Sequence, residues 1–439
     1  RNPHVASLRM GKFAKHLIAD GWDVRVLAAD ATNVASMTLE IPRANVVYTP
    51  WTDVDRTLEN MIARLRGRLR GAHGPQRSAS DVPGSQTSAA APVESPAWRK
   101  ALRRLYQEVV RWPDNRAGWI RPALEAGDAI IANWRPDVIY ATAPPPTSLV
   151  IADRLSRKHR IPWIAEFRDL WSEHPYYEYS PARRFLERMW DRRVLTRAAA
   201  IVTVSPIWQP RLEARYGRPA VTAMNGFVIE DFPERPPVAP ETTGPLRIVY
   251  TGHIYQGHRD PTPLFAALRR LGLTPADVVV EFLGSGVEDV RRLAAKAGVT
   301  DLVRILAPVD HRQSLGIQLH ADVLLHLQWC DPKEEGTIAG KIFDYLGARR
   351  PILGIALEDS VVAKLLHERH AGLVTNDSAK IAAQVSAWID AKRGGGIPPL
   401  PASAGEGLDR ATQFEKMTAL LSKVVTAPAV EPARLREAG

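Results

Sequence analysis

The feature that most constrains this chain is an alternation of short apolar segments with longer amphipathic ones. The short segments are rich in Val, Ile and Ala, as in Val138–Ala141, Pro162–Phe167 and Ala200–Val204. Apolar residues in the intervening segments recur at helical spacing. Short buried strands separated by helices are typical of parallel sheets with helices on both faces. We therefore predict an α/β fold built from doubly wound, Rossmann-like sheets.

The alternation runs twice, once on each side of a proline-rich linker at 233–245. We predict an N-terminal Rossmann-like domain over 1–235 and a C-terminal one over 236–408. A final helix at 409–425 is expected to pack back on the N-terminal domain, and 426–439 is expected to be a tail. Ligands of open α/β sheets bind beyond the carboxyl ends of the strands, so two such domains predict a cleft between them.

The composition excludes several classes of protein and site. The one cysteine, Cys330, excludes a disulfide framework and a zinc ribbon. The chain has no run of about 18 uncharged apolar residues and no signal-peptide pattern, so we expect a cytoplasmic protein without a spanning helix. The motifs H-E-x-x-H, G-x-S-x-G and G-x-x-x-x-G-K-[ST] do not occur, which leaves zinc hydrolysis, a nucleophile elbow and P-loop chemistry unsupported.

The charge balance points to an anionic partner. Lys and Arg number 58 against 48 Asp and Glu, a net charge of +10. Several of the arginines fall in the stretch 64–104, where we expect contact with anionic lipid at the inner membrane face. The alternative is a solvated insertion, because 66–97 is rich in Gly, Ser, Pro and Ala and lacks periodicity. Nucleic acid is the least favoured partner, since these charges do not interleave with aromatic residues in the pattern of a nucleic-acid module.

The strongest candidate for a phosphate site is segment 334–351, E-E-G-T-I-A-G-K-I-F-D-Y-L-G-A-R-R-P. It predicts a loop, a helix that begins near Thr337 or Ile338, and a strand. The free amides and positive dipole end of such a helix bind anions. Gly336 would let the backbone approach a ligand, and Lys341, one turn into the helix, would reach a phosphate. The alternative is an ordinary amphipathic helix with Lys341 in solvent.

A second candidate is segment 250–261, Y-T-G-H-I-Y-Q-G-H-R-D-P. Gly252 opens a loop between a strand and a helix. Arg259 comes just before that helix, where its guanidinium would clamp a diphosphate with two hydrogen bonds. For His253 and His258 an exposed position on a mobile loop is the favoured interpretation.

A third glycine-containing turn follows the predicted strand V-V-V-E-F-L. Gly284 and Gly286 match two of the three glycines of a dinucleotide fingerprint. The turn would either shape a pocket for a nucleotide base or simply connect a strand to a helix.

In the N-terminal half, the strand P-W-I-A-E-F runs into a cluster of charged and aromatic residues. We expect Asp169 to orient an acceptor hydroxyl while the aromatic rings stack on a sugar. The alternative is a structural network in which Glu166, Arg168 and Asp169 pair with one another.

These motifs resemble those of GT-B glycosyltransferases, specifically the glycosyltransferase family 4 type of bacterial surface-polysaccharide clusters. The resemblance covers nearly the whole chain. Its most specific pieces are W-P-D-N-R-A-G-W-I (112–120), P-D-V-I-Y-A-T-A-P-P-P-T (136–147), P-W-I-A-E-F-R-D-L-W (162–171), A-I-V-T-V-S (200–205), N-G-F-V-I-E-D-F (225–232), Y-T-G-H-I-Y-Q-G-H-R-D-P (250–261) and G-T-I-A-G-K-I-F-D-Y-L-G-A-R-R-P-I-L (336–353).

The resemblance implies retaining transfer of a sugar from a nucleotide sugar to a glycan or lipid-linked acceptor, with no cofactor and no obligatory metal. The C-terminal domain would hold the donor and the N-terminal domain the acceptor. Arg259 and Lys341 would neutralise the diphosphate leaving group. Amides near Gly336 and Thr337 would contact the phosphates or the sugar, and Asp344 would hold the ribose.

The chain departs from the family pattern in two places. The family has two glutamates eight positions apart, whereas here Asp344 is preceded at that distance by Gly336, with Glu335 one step away. We assign the sugar contact to Glu335 with this offset. The family also opens with a strand and a Gly-rich loop, and Arg1 comes after that point. We therefore expect the first strand and part of the acceptor wall to be missing, and activity to be weak or absent.

Two other functions are compatible with the same fold, because a fold alone does not fix a reaction. One is a sugar-nucleotide epimerase, and the other is a non-catalytic protein that binds a glycan or a partner. The offset of Glu335 is the feature that favours the second.

Overall fold

The protein is described by a computed structural model, which covers residues 4–30, 39–55, 106, 108–177, 179–255 and 257–427. The predicted insertion at 66–97, the basic stretch at 64–104 and nearly all of the tail at 426–439 lie outside these residues. The chain divides into two compact units, one within residues 1–199 and one over residues 200–426. Each is described separately.

The first unit contains two pairs of parallel strands with helices alongside. Its described helices are α1 (His4–Ala19), α2 (Ile120–Asn133), α3 (Thr147–His159) and α4 (Pro181–Leu195), and its described strands are β1 (Val26–Ala29), β2 (Val46–Thr49), β3 (Ile139–Ala143) and β4 (Trp163–Phe167). β1 pairs with β2 and β3 pairs with β4. Every residue of β4 is buried, as expected for a strand covered on both faces.

The second unit is built on a six-stranded parallel sheet. Its described strands are β5 (Ala200–Thr203), β6 (Ala220–Thr222), β7 (Leu246–Thr251), β8 (Val278–Leu283), β9 (Val303–Leu306), β10 (Val323–Leu327), β11 (Ile352–Ile355) and β12 (Gly372–Val374), and its described helices are α5 (Trp208–Tyr216), α6 (Thr262–Leu271), α7 (Glu288–Ala297), α8 (His311–Leu319), α9 (Lys341–Ala348), α10 (Val361–Glu368), α11 (Ser378–Arg393) and α12 (Arg410–Thr426). β5 and β6 form a parallel pair, and the other six strands run in the order β12-β11-β10-β7-β8-β9.

The large sheet is doubly wound. Ile248 and Tyr250 of β7 belong to a core shared with α6, α7 and α11, whereas Val249 belongs to a core shared with α8, α9 and α10. Successive side chains of a strand point to opposite faces, so both faces of the sheet are covered by helices. The predicted α/β class with two Rossmann-like sets of parallel strands is confirmed.

The border between the compact units falls after Ala199, earlier than the predicted domain border at 235. A set of hydrogen bonds ties the end of β6 and the following loop to residues 408–413. The Phe227 amide donates to the Leu408 carbonyl (3.1 Å), the Arg410 amide donates to the Phe227 carbonyl (2.8 Å), and the Met224 amide donates to Oε1 of Gln413 (2.8 Å). The predicted domains were defined by the strand–helix alternation on each side of the proline-rich linker at 233–245, and they stay predictions.

Candidate active site

The order of strands in the large sheet marks one place where a ligand is expected. The chain order reverses between β7 and β10, and ligands of open α/β sheets bind in the crevice outside the carboxyl ends of such strands. The loops that leave β7 and β10 meet there. The rings of His258 and Trp329 contact each other edge to face, with centroids 4.5 Å apart. Both phosphate-site candidates from the sequence lie on these two loops.

Lys341 lies at this carboxyl edge. It is the first residue of α9, and its ammonium group donates to the carbonyl of Thr251, the last residue of β7. Nζ is 3.8 Å from the centroid of the Tyr250 ring. Desolvation lowers the pKa of Lys341 well below its ordinary value; Arg259 lowers it further, and Asp344 opposes the shift. The amino group is thus held in a dry position, not in solvent, and an arriving anion would stabilise its charged form.

Arg259 reaches the same aromatic ring from the loop before α6. Its Nη1 donates to the Tyr250 hydroxyl (3.3 Å) and to the His253 carbonyl (2.7 Å). Its guanidinium also lies 4.6 Å from the centroid of the Tyr255 ring. Arg259 and Lys341 were predicted to share one ligand, and the structure brings both to Tyr250.

Glycines hold the neighbouring loops close together. Gly252 has φ +115°, and a Cβ there would lie 3.0 Å from Nζ of Lys341. Gly284 has φ +146°, and a Cβ there would lie 2.0 Å from the Gly252 carbonyl oxygen. A Cβ on Gly286 would similarly meet the backbone of Ile254. Gly252, Gly284 and Gly286 therefore allow the turn after β8 to contact the loop after β7, and their predicted contact with a nucleotide stays a prediction.

The predicted start of the phosphate-site helix is wrong. α9 begins at Lys341, not at Thr337 or Ile338, so Lys341 is not one turn inside it. The amide of Thr337 donates to the Glu334 carbonyl (2.9 Å), and Ile338 is buried. The Thr337 carbonyl, which a longer helix would use for its first bond, accepts instead from Nε2 of Gln328 (3.3 Å).

Gly336 has a packing role in this turn. A Cβ there would lie 2.1 Å from Nε1 of Trp208 in α5, so only glycine fits beneath the indole. Together with Gly340, it also lowers the helix propensity of the segment before Lys341. A contact between Gly336 and a phosphate stays a prediction.

The two acidic residues of this region have different surroundings. The Glu335 carboxylate pairs with the guanidinium of Arg211 in α5, and the Glu335 carbonyl accepts from the Val361 amide (2.7 Å). Asp344 is half-buried in α9, one turn after Lys341, and acts on it electrostatically. The sugar contact of Glu335 and the ribose contact of Asp344 stay predictions.

Asp169 lies in the first unit, beyond the end of β4. There, Nε of Arg9 donates to Oε1 of the buried Glu166 (2.8 Å), and Nε of Arg168 donates to Oγ1 of Thr142 (2.9 Å). Desolvation lowers the pKa of Arg168, and Glu166 and Asp169 oppose this shift. Arg168 thus interacts electrostatically with Glu166 and Asp169, while its guanidinium donates to Thr142 and to the Pro144 carbonyl, and both interpretations of Asp169 stay predictions.

Three residues of the candidate site in the second unit were not predicted from the sequence. Tyr250, which contacts both cations, looks like any apolar strand residue in the sequence. His326 and Gln328 gave a signal, because they are polar residues in and just after the apolar segment V-L-L-H-L. A polar residue at the carboxyl end of a buried parallel strand is itself a pointer to a site.

Gln328 fixes the loop that follows β10. Its Nε2 donates to the carbonyls of Glu334 (2.8 Å) and Thr337 (3.3 Å), which leaves its Oε1 facing Nε2 of the buried His326 (3.2 Å). His326 must then carry its proton on Nε2 and present a lone pair on Nδ1. Desolvation, with Lys341 contributing, lowers the pKa of His326 to about 3, so the ring is neutral.

The comparisons with known proteins agree with this architecture. The family model described as a glycosyl transferase 4-like domain matches residues 6–226. Sucrose-phosphate synthase from Thermosynechococcus elongatus shares 13% identity, covers 95% of this chain and 90% of its own, and superposes with a TM-score of 0.55. No curated protein gives a significant match.

Two further solved structures have the same fold. A glycosyltransferase from Rickettsia africae is 12% identical and covers 70% of this chain and 81% of its own, with a TM-score of 0.51. Anabaena HepE, solved with UDP-glucose, is 16% identical and covers 69% of this chain and 82% of its own, also with a TM-score of 0.51. The GT-B type of fold and the match over residues 6–226 together establish that the chain belongs to the glycosyl transferase 4-like family and is a glycosyltransferase.

Proposed function

We propose that the enzyme transfers a sugar, with retention of configuration, from a nucleotide-sugar donor to a glycan or lipid-linked acceptor in cell-surface polysaccharide synthesis. We assign the donor site from one observation: Lys341 and Arg259 both contact Tyr250, beside the carboxyl ends of β7 and β10. The UDP-glucose bound by HepE, a protein of the same fold, supports a donor of this class.

The chemistry calls for fixed positive charge at one place. The bond that breaks joins the anomeric carbon of the sugar to an oxygen of the diphosphate, and the electron pair leaves with that oxygen. The anomeric carbon becomes oxocarbenium-like until the acceptor hydroxyl attacks it and loses its proton. Lys341 and Arg259 would stabilise the charge that develops on the diphosphate, with Asp344 one turn away for the ribose. Removing one such group typically costs about 2.7–4 kcal/mol of transition-state stabilisation.

We propose that these two side chains supply the charge compensation without an obligatory metal or cofactor. On the acceptor side, Asp169 would orient the acceptor hydroxyl. The acceptor would be presented at the cytoplasmic face of the inner membrane. The basic stretch at 64–104 would contribute to that membrane contact through its arginines.

A panel of nucleoside diphosphates tests the donor site by thermal shift. We expect at least one diphosphate to stabilise the wild-type chain, by about 2.7 kcal/mol at a ligand concentration 100 times Kd. Lys341→Ala should lose this gain. Lys364→Ala, which changes an exposed lysine of α10 in the same unit, is the matched control and should keep it. An undiminished gain in Lys341→Ala would show that the site is assigned wrongly.

The reaction class needs a separate assay. A transferase releases nucleoside diphosphate only when an acceptor is present. An epimerase converts the nucleotide sugar without an acceptor and without releasing the diphosphate, and a binding protein does neither. Acceptor-dependent release that disappears in Lys341→Ala is the expected result.

A further inference from the structure

Helix α4 of the first unit presents an apolar surface to solvent. Phe185 is 63% exposed, Met189 59% and Leu186 52%. With Val109, which is 68% exposed, these are the four most exposed large apolar side chains among the described residues. Burying such side chains is normally what folds a helix onto its neighbours, so their outward position needs another cause.

The inward side of α4 is ionic. Nε of Arg183 donates to Oε1 of Glu187 (2.8 Å), and both side chains are buried. Asp191 is buried as well and accepts a hydrogen bond from the Ser172 hydroxyl. Up to Asp191 the helix therefore has the reverse of the usual arrangement, with charged residues inside and apolar residues outside, and only in its last turn are apolar residues, Val194 and Leu195, buried.

Arginines surround the exposed apolar residues. Residues of an α-helix are about 100° apart around the axis, which places Phe185 and Met189 near the centre of the outward arc, close to Arg192. Arg184 lies on one side of them and Arg193 on the other, and both are exposed. The α4 outer face is defined here by Arg184, Phe185, Leu186, Met189, Arg192 and Arg193.

The charge of this face is of one sign. The acidic residues of α4 itself, Glu187 and Asp191, are on the inward side. Of the described acidic residues beside the face, Glu173 is paired with Arg188 (3.2 Å), and the Glu108 carboxylate accepts from Ser180. An apolar centre with cations around it is complementary to a surface that is apolar below and anionic above.

The apolar surface extends past the start of α4. The Glu108 carboxylate accepts from the amide and the hydroxyl of Ser180 (2.8 Å each), which fixes the segment of the exposed Val109 beside the helix. The half-buried Trp112 and Trp190 stack at the edge of the helix, with ring centroids 5.5 Å apart. Tryptophan is favoured where an apolar layer meets water, because its ring is largely apolar and carries one polar N–H.

We propose that the α4 outer face binds the surface of an anionic lipid bilayer, with Phe185, Leu186 and Met189 inserted among the acyl chains and the arginines at the headgroups. The proposal does not depend on the transfer reaction, because binding to vesicles requires neither donor nor acceptor. A second copy of the chain fits the face less well, since a twofold contact would set arginines against arginines.

Co-sedimentation of the full chain with vesicles tests the proposal. Vesicles that contain phosphatidylglycerol should bind the wild-type chain, and vesicles of phosphatidylcholine alone should bind it at least about tenfold more weakly. The double variants Phe185→Ser with Met189→Ser, and Arg192→Glu with Arg193→Glu, should each weaken binding to the anionic vesicles by at least about tenfold. Arg269→Glu with Arg270→Glu, on the exposed side of α6, is the charge-matched control and should bind normally.

Two outcomes would overturn the proposal. Unchanged vesicle binding in both α4 variants would place the membrane contact elsewhere. Absence of vesicle binding by the wild-type chain, together with self-association that the α4 variants abolish, would assign the face to a second copy. Thermal unfolding and the diphosphate-induced shift should be the same in all variants, so loss of folding or of donor binding is distinguished from loss of membrane binding.

Discussion

At the scale of single residues, the site depends on Tyr250. One buried aromatic ring accepts the Lys341 ammonium on its face and the Arg259 guanidinium at its hydroxyl. Two cations in a dry place repel each other, and the lowered pKa of Lys341 reflects this repulsion in addition to desolvation. The ring partly offsets the repulsion, because a cation over an aromatic face is attracted by its quadrupole. The negative charge of a bound diphosphate would offset the rest of the repulsion between the two cations.

We predict that diphosphate binding is coupled to proton uptake. In the free protein the pKa of Lys341 is well below its ordinary value, and a bound diphosphate would raise it. Between these two pKa values the complex holds more protons than the free protein, so affinity should fall as pH rises, by up to about tenfold per pH unit. Calorimetric titrations in two buffers of different ionisation enthalpy, above about pH 7 where the terminal phosphate is mostly ionised, measure the uptake.

The other titratable groups near Lys341 determine whether the proton uptake can be assigned to Lys341. His326 stays neutral, and desolvation and the charge of Arg259 lower the pKa of His253. Lys341→Met should therefore abolish the uptake above pH 7, whereas Lys364→Met should preserve it. Uptake of the same size in Lys341→Met would assign the proton to another group.

At the scale of elements, the strands were easier to predict than the functional loop. β8, β9 and β10 lie at Val278–Leu283, Val303–Leu306 and Val323–Leu327, as their apolar runs predict. The start of α9 was misplaced because the side chain of Gln328, at the start of the same loop, donates to the Thr337 carbonyl. Local sequence patterns predict regular elements. They do not predict a hydrogen bond from a side chain at the start of a loop to a carbonyl further along it.

We predict that Gln328 positions the loop at 334–337. Gln328→Leu would leave the carbonyls of Glu334 and Thr337 without this donor, at a cost of about 1–3 kcal/mol for the buried groups. The loop amides, including that of Thr337, should exchange hydrogen faster, and KM for the donor should rise more than kcat falls. Gln313→Leu, on α8, is the control. Unchanged exchange in 334–337 would contradict the positioning role.

At the scale of the whole molecule, the second unit is closed by its last helix. α12 contacts β5 and β6, and residues 224–227 are hydrogen-bonded to residues 408–413. Gly226 allows this approach: its φ is +71°, and a Cβ there would lie 2.8 Å from the Arg410 backbone. No sequence period signals such a contact, because the two segments are far apart along the chain.

None of the helices in the described part of the chain combines the length and the apolar character that a membrane span requires.

We predict that Gly226→Ala destabilises the second unit by more than its backbone conformation alone would cost. Gly217→Ala is the matched control, since Gly217 has φ +62° and a Cβ there would have nothing within 4 Å. Strain from the positive φ should cost about 1–2 kcal/mol in both variants, and the clash with Arg410 should add to it only in Gly226→Ala. Chemical denaturation that monitors the second unit measures the difference, and equal losses would contradict the packing argument.

The link between the loop after β6 and the start of α12 has a consequence for synthesis. Because Met224 and Phe227 are hydrogen-bonded to residues 408–413, the loop after β6 lacks these partners until the region around Gln413 has left the ribosome. The sheet between β7 and β12 is translated in the interval and has all its own strands by then. We therefore expect this sheet to be built on the nascent chain before the loop at 224–227 is fixed, because fixing that loop requires residues 408–413.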